Sequence, residues 1–149
     1  MQENDFIPQP FNKNIEKGTV TWQSPSNIAL VKYWGKKKNQ IPANPSISFT
    51  LDTSVTTTTL EYYKRDRESG PVEFELYFED KKKEEFKPKI KDFFNRIEAY
   101  CPYLKDFDLI IKTGNSFPHS SGIASSASGM SALALCIMSI EKELDPEMT

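Results

Sequence analysis

The residues best suited to chemistry in this chain fall in two stretches. The first is SFPHSSGIASSASG (116–129), which leads into a long apolar run ending at Leu144. Met130, Leu133, Ile137, Ile140 and Leu144 recur at three- and four-residue spacing, which marks one face of a helix. Ala132, Ala134, Leu135, Cys136 and Met138 are apolar as well, so little of that helix is expected to face water. With IASSAS (123–128) as its first turn, the helix has backbone N–H groups without intrahelical partners, and its positive dipole end points into the loop. Ser125 and Ser126 add hydroxyl donors, and Gly122 lets an oxyanion approach the backbone. Such a cradle suits a phosphate. Serine at a helix start is equally common as a cap, so the stretch alone leaves both readings open. Neither G-x-x-x-x-G-K-[ST] nor a strand followed by G-x-G-x-x-G occurs, which argues against a P-loop or dinucleotide-binding fold.

The second stretch is NIALVKYW (27–34), followed by Gly35 and Lys36. Ile28, Leu30, Lys32 and Trp34 share one strand face, and Ala29, Val31 and Tyr33 the other. Both faces are apolar, which predicts a central strand covered on both sides. An unpaired ammonium buried there would be costly. Lys32 therefore either snorkels to water from the strand end or points at an anion in a cleft, and the second reading is favoured. Lys36 adds a further cation four residues on.

These two stretches need a frame to position them. The 149 residues allow one domain with a real core, or part of a larger one. A formal net charge of -2 argues against a nucleic-acid partner. Cys101 and Cys136 lie in apolar contexts, with no C-x-x-C spacing and a single histidine, so a zinc site is not expected. Unpaired buried thiols fit a reducing compartment. The amino terminus lacks the form of a signal peptide. The longest apolar run, Ala132 to Met138, falls far short of the ~20 residues of a membrane span. The expectation is a cytoplasmic protein with neither a membrane nor a nucleic-acid partner.

Residues 1–18 are expected to form an arm, laid on the surface through Phe6, Ile7 and Phe11. Thr19 to Gln23 predicts a short strand ended by the turn Ser24-Pro25-Ser26-Asn27. Ser46 to Leu51 predicts a strand with Ile47, Phe49 and Leu51 inward, and Val55 to Lys64 predicts another. After the turn Asp66 to Pro71, alternation of Val72, Phe74, Leu76 and Phe78 predicts the second arm of a hairpin. Lys81-Lys82-Lys83 reads as a solvated loop. Pro88 to Leu104 predicts an amphipathic helix, with Ile90, Phe93, Phe94, Ile97, Cys101 and Leu104 on its buried stripe. Phe107 to Lys112 is a strand running into the cradle, and Asp145-Pro146 looks like the start of another helix.

NIALVKYWGK, PANPSISFTLD and SFPHSSGIASSASG resemble, in that order, the signatures of the mevalonate diphosphate decarboxylases of the GHMP kinase superfamily. The resemblance runs from about Thr19 to Leu144. It implies an α+β fold like ribosomal protein S5 domain 2, an antiparallel sheet with two long helices. It also implies that 19–149 is a truncated amino-terminal domain, with a ferredoxin-like carboxy-terminal domain absent. The implied activity is ATP-dependent decarboxylation of mevalonate 5-diphosphate to isopentenyl diphosphate, by an enzyme that is homodimeric. By position, Lys32 matches the lysine near the reacting centre, Tyr33 and Lys36 touch the substrate diphosphate, and Trp34 is the aromatic beside the site. Pro118, Ser121, Gly122, Ile123, Ala124, Ser125, Ser126 and Ser128 would hold the nucleotide phosphates, with Mg2+ arriving on ATP. The resemblance places the catalytic aspartate and a Ser/Arg segment beyond Thr149, so this chain alone is expected to be inactive. A phosphomevalonate decarboxylase, a mevalonate 3-kinase or a non-catalytic phosphate-binding fragment are the alternatives. His119 receives no role.

Overall fold

A computed structural model describes residues 2, 6–8, 10–11, 13–38, 41–66, 70–119 and 122–147. Five strands form one sheet: β1 (Lys17–Val31), β2 (Ile47–Lys64), β3 (Glu73–Phe78), β4 (Lys81–Lys82) and β5 (Phe107–Asn115). Their spatial order is β1-β2-β5-β3-β4. Two helices complete the fold, α1 (Lys87–Ile97) and α2 (Ser125–Leu144). The α+β class is as expected, and every strand pair is antiparallel except β3 with β5.

That parallel pair corrects the expected hairpin. The Val72–Phe78 alternation does make a strand, but β3 pairs with β5 and not with β2. Parallel neighbours need a long crossover, and α1 with its flanking turns supplies it. Instead, β3 makes its tight turn into β4, through Glu79 and Asp80, both at positive φ. A two-residue turn of that kind matches the twist of the strands it joins. Lys81 and Lys82 are therefore a short strand rather than a loop, though both are exposed.

The core lies where α2 crosses the sheet. Leu133, Cys136, Ile137 and Ile140 pack with Leu60 and Tyr62 of β2, Leu76 of β3, and Leu109 and Ile111 of β5. The helical spacing read from the sequence thus finds its buried face, but Leu135 and Met138 on the far side are exposed. Phe94 of α1 is buried, with Ile90, Phe93 and Ile97 against the same core. The helix stops at Ile97, short of the expected Leu104. Tyr100 and Cys101 both donate their N–H to the Ile97 carbonyl at 2.9 Å, and Pro102 then starts a tight turn (Pro102–Asp106). Proline offers no N–H and disfavours helix in the residue before it, so the chain cannot continue. Cys101 and Leu104 are still buried, from that turn.

Strand β1 also differs from expectation. It runs unbroken through the predicted Ser24–Asn27 turn, with a register shift between Pro25 and Asn27. Because β1 is an edge strand, a proline and a bulge are tolerated there. Likewise β2 is continuous from Ile47 to Lys64. The β2–β5 ladder ends at Thr56↔Asn115, yet β1 and β2 go on pairing from Asn27↔Thr50 to Val31↔Ile47. Residues 27–31 and 47–50 are therefore a two-stranded projection and not a central covered strand. Leu30 is 67% exposed, and Val31, Ile47 and Phe49 are also exposed. Apolar residues on both faces signal a cover that the described residues do not provide. At the amino end, Phe11 packs edge-on against Tyr103 and Ile15 is buried, whereas Phe6 and Ile7 are exposed.

Two expected outcomes follow from this packing. Gly18 faces the Tyr62 ring, and an added Cβ would overlap its hydroxyl, which is bonded to Glu143. Gly18→Ala should lower stability by about 1–3 kcal/mol, read from the denaturant midpoint. Burial pushes the Cys136 thiol up to about 11 and raises that of Cys101, so both stay neutral at pH 8. Alkylation with iodoacetamide should be slow until denaturant unfolds the chain.

Candidate functional site

The amino end of α2 is built by the polar residues of three elements. Thr56 of β2 is buried, and its hydroxyl lies 2.6 Å from Ser128 Oγ and 2.8 Å from Asn115 Oδ1, at the end of β5. Ser128 Oγ also donates to the Ser125 carbonyl at 3.1 Å. From β1, the buried Ser26 hydroxyl donates to the Ile123 carbonyl, pinning the loop that enters the helix. Ser116 ties the loop's other end to β2, donating to the Thr53 carbonyl and accepting from the Val55 N–H. The helix terminus is thus held by the sheet.

The capping alternative for the serines does not hold. The cap position is Ala124, in left-handed conformation at φ 56, and among the described residues no side chain caps the helix. Ala127 and Ser128 return their N–H groups to the Ala124 carbonyl. The N–H groups of Ser125 and Ser126 open the helix, and among the described residues no side chain satisfies them. Gly122 has φ +81 with nothing near its absent Cβ, so the turn itself demands glycine. Ser121 lies outside the described residues, whereas Pro118, Gly122, Ala124 and Ser126 are exposed, Ile123 and Ser125 are half-buried, and Ser128 is buried.

This terminus forms one end of a cleft of about 910 Å³. Ser125, Ser126 and Ala127 line it, together with Thr58 and Thr113 from the sheet floor. Lys89, Asp92, Asn95 and Arg96 of α1 line the opposite wall. Those four were missed in the sequence, where the polar face of α1 reads as a solvated one; their spacing of three, three and one did mark a single face. Asn115 also lines the cleft, and its Nδ2 is buried without a hydrogen-bond partner among the described residues. A largely apolar hollow whose lining includes two cations, one carboxylate and an uncapped helix end can hold an anionic ligand of nucleotide size. Among the described residues, no group of three or more His, Cys, Asp or Glu side chains could hold a metal ion.

Lys32, Tyr33, Trp34 and Lys36 are not among the residues lining this cleft. All four are exposed, Trp34 to 85%, in the turn that follows β1. Asn44 organises this turn, accepting from the Trp34 N–H at 2.7 Å and donating to the Pro45 carbonyl at 2.8 Å. Lys36 bridges to Pro42, and its ammonium sits 6.0 Å from the centre of the Tyr33 ring. The structure therefore has two cation-bearing regions, one at each end of the path from Ser26 along β1.

Comparison with known proteins bears on both regions. Residues 24–148 match the family described as the diphosphomevalonate decarboxylase-like N-terminal domain. A diphosphomevalonate decarboxylase of Ganoderma lucidum is 32% identical over 142 residues, covering 83% of this chain and 33% of that protein. The solved mevalonate diphosphate decarboxylase of Staphylococcus aureus matches with a TM-score of 0.66 at 28% identity, over 89% of this chain and 38% of that one. A related structure, solved in complex with MVAPP, AMPPCP and magnesium, matches with a TM-score of 0.64 at 28% identity, over 90% and 38%. The chain spans about a third of the length of the curated relatives it matches.

The polar tie is open to test. Thr56→Val leaves Ser128 and Asn115 without their shared partner and should cost about 1–3 kcal/mol in thermal or denaturant unfolding. Gly122→Ala forces alanine to positive φ and should cost about 1–2 kcal/mol by the same measurement.

Proposed function

We propose, for a chain that belongs to the diphosphomevalonate decarboxylase-like N-terminal-domain family, that it is the nucleotide-holding part of an enzyme that decarboxylates mevalonate 5-diphosphate at the expense of ATP. One observation carries this reading: the uncapped amino end of α2, with Ser125 and Ser126, opens onto a cleft that Lys89 and Arg96 also line. ATP supplies the phosphoryl group for the tertiary 3-hydroxyl. Loss of that phosphate together with CO2 gives isopentenyl diphosphate. In this reading, residues from Pro118 to Ser128 hold the nucleotide phosphates, and Gly122, lacking a Cβ in open space, leaves room for them. Mg2+ enters bridging those phosphates, as oxygen-bound magnesium usually does.

Lys32 stands beside the reacting centre, Tyr33 and Lys36 hold the substrate diphosphate, and Trp34 flanks them. Lys32 is six residues beyond the Ser26 anchor, roughly 20 Å along an extended strand. A lysine at that distance supports two ligands laid end to end, nucleotide on the cradle and substrate towards the projection. Two polyanions brought together need donors at both ends to offset their repulsion. Residues 19–149 act as the amino-terminal domain, and the exposed apolar tip of the β1–β2 projection is a surface for the remainder of the fold. The complete protein is a homodimer, and the two free buried thiols of this chain fit the reducing cytoplasm.

In the full-length protein, Lys32→Ala and Ser125→Ala should each lower kcat by about 100-fold or more, with the melting temperature unchanged. Unaltered kinetics in either variant would remove that residue from the site. The 149-residue chain by itself should release no CO2 from mevalonate 5-diphosphate and ATP; measurable turnover would contradict the two-part reading.

A further inference from the structure

The loop that enters α2 crosses to the far wall of the cleft through one side chain. The His119 ring lies 5.3 Å, centre to centre, from both Phe78, the last residue of β3, and Phe86, just before α1. Phe78 and Phe86 meet edge to face at 5.8 Å, so the three rings form one cluster. All three line the same cleft as Ser125 and Ser126. Phe78 is buried and Phe86 half-buried, but the histidine ring is exposed even while resting on them. The cleft thus has a cationic, donor-rich region and an aromatic region, within a volume that fits one small ligand.

We propose that His119, backed by Phe86, is a stacking wall for the flat, uncharged ring of the ligand whose anionic end sits at the α2 amino terminus. This assignment rests on the phosphate-cradle reading above and adds a specificity determinant to it. A ligand with an anionic tail and a flat aromatic head is a nucleotide, and stacking on a rigid ring gains affinity without demanding a particular hydrogen-bond pattern. Lys83, whose ammonium is 5.7 Å from the centre of the Phe86 ring, pairs with Glu85 at 2.9 Å. The wall therefore favours any base over none and discriminates weakly among bases.

The test measures binding of three probes, ATP, adenosine and inorganic triphosphate, to the wild-type chain, His119→Ala and His119→Phe by calorimetry. His119→Ala should weaken ATP and adenosine by about 5- to 100-fold, the range for losing one stacking partner. It should leave inorganic triphosphate unchanged, and His119→Phe should restore the nucleoside probes. Unchanged ATP binding in His119→Ala overturns the wall. Equal losses for ATP and inorganic triphosphate also overturn it, because the ring would then only tether the cradle loop. If the wild type binds adenosine, sensitively to His119→Ala, but not inorganic triphosphate, the cradle reading fails and the wall stands. If it binds none of the three probes, both fail.

Discussion

The amino end of α2 is fixed by groups outside the helix. Its own first-turn serines do not cap it; Thr56, Asn115 and Ser26 reach it from three strands, through Ser128 and the Ile123 carbonyl. Buried hydroxyls of this sort are worth keeping only if they are satisfied, and each of these is. The consequence is an economy of donors. The sheet takes up the carbonyl and hydroxyl side of the turn, and the forward-pointing N–H groups of Ser125 and Ser126 stay available to whatever occupies the cleft.

The rest of the architecture follows from holding that end in place. The helix must be buried along one side to resist tilting, which is the task of Leu133, Ile137 and Ile140 against Leu60, Leu109 and Ile111. The sheet must present β2 and β5 side by side beneath it, so that Thr56 and Asn115 fall together at the ladder's end. Placing β5 between β2 and β3 does this, and it requires the parallel β3–β5 pair with α1 as the crossover. That same crossover brings Lys89 and Arg96 to the wall facing the cradle.

Much of this was legible in the residues. The spacing from Leu133 to Leu144 fixed the buried face of α2, the alternation around Phe74 and Leu76 fixed β3, and the GIASSAS run located the start of α2. The strand order was not legible, because alternation says which face a residue takes and nothing about which neighbour it pairs with. Reading β3 as the partner of β2 was the natural error of assuming that consecutive strands are adjacent. The end of α1 was misjudged because Cys101 and Leu104 keep apolar spacing across Pro102, where the backbone cannot stay helical. Residues 27–31 looked central because apolar side chains on both faces record a need for cover, and the sequence does not say which part of a protein meets it. The cleft wall on α1 was hidden for a simpler reason, since charged residues on a solvated face and on a cleft face are the same residues.

The central claim is that phosphate oxygens bind to the backbone at the start of α2. The most direct measurement is an amide proton–nitrogen NMR titration of the 149-residue chain with inorganic triphosphate. The account predicts saturable shifts concentrated at Gly122 to Ser128, moving downfield as the N–H groups acquire charged acceptors. Shifts scattered over the exposed lysines with that segment unmoved would contradict it.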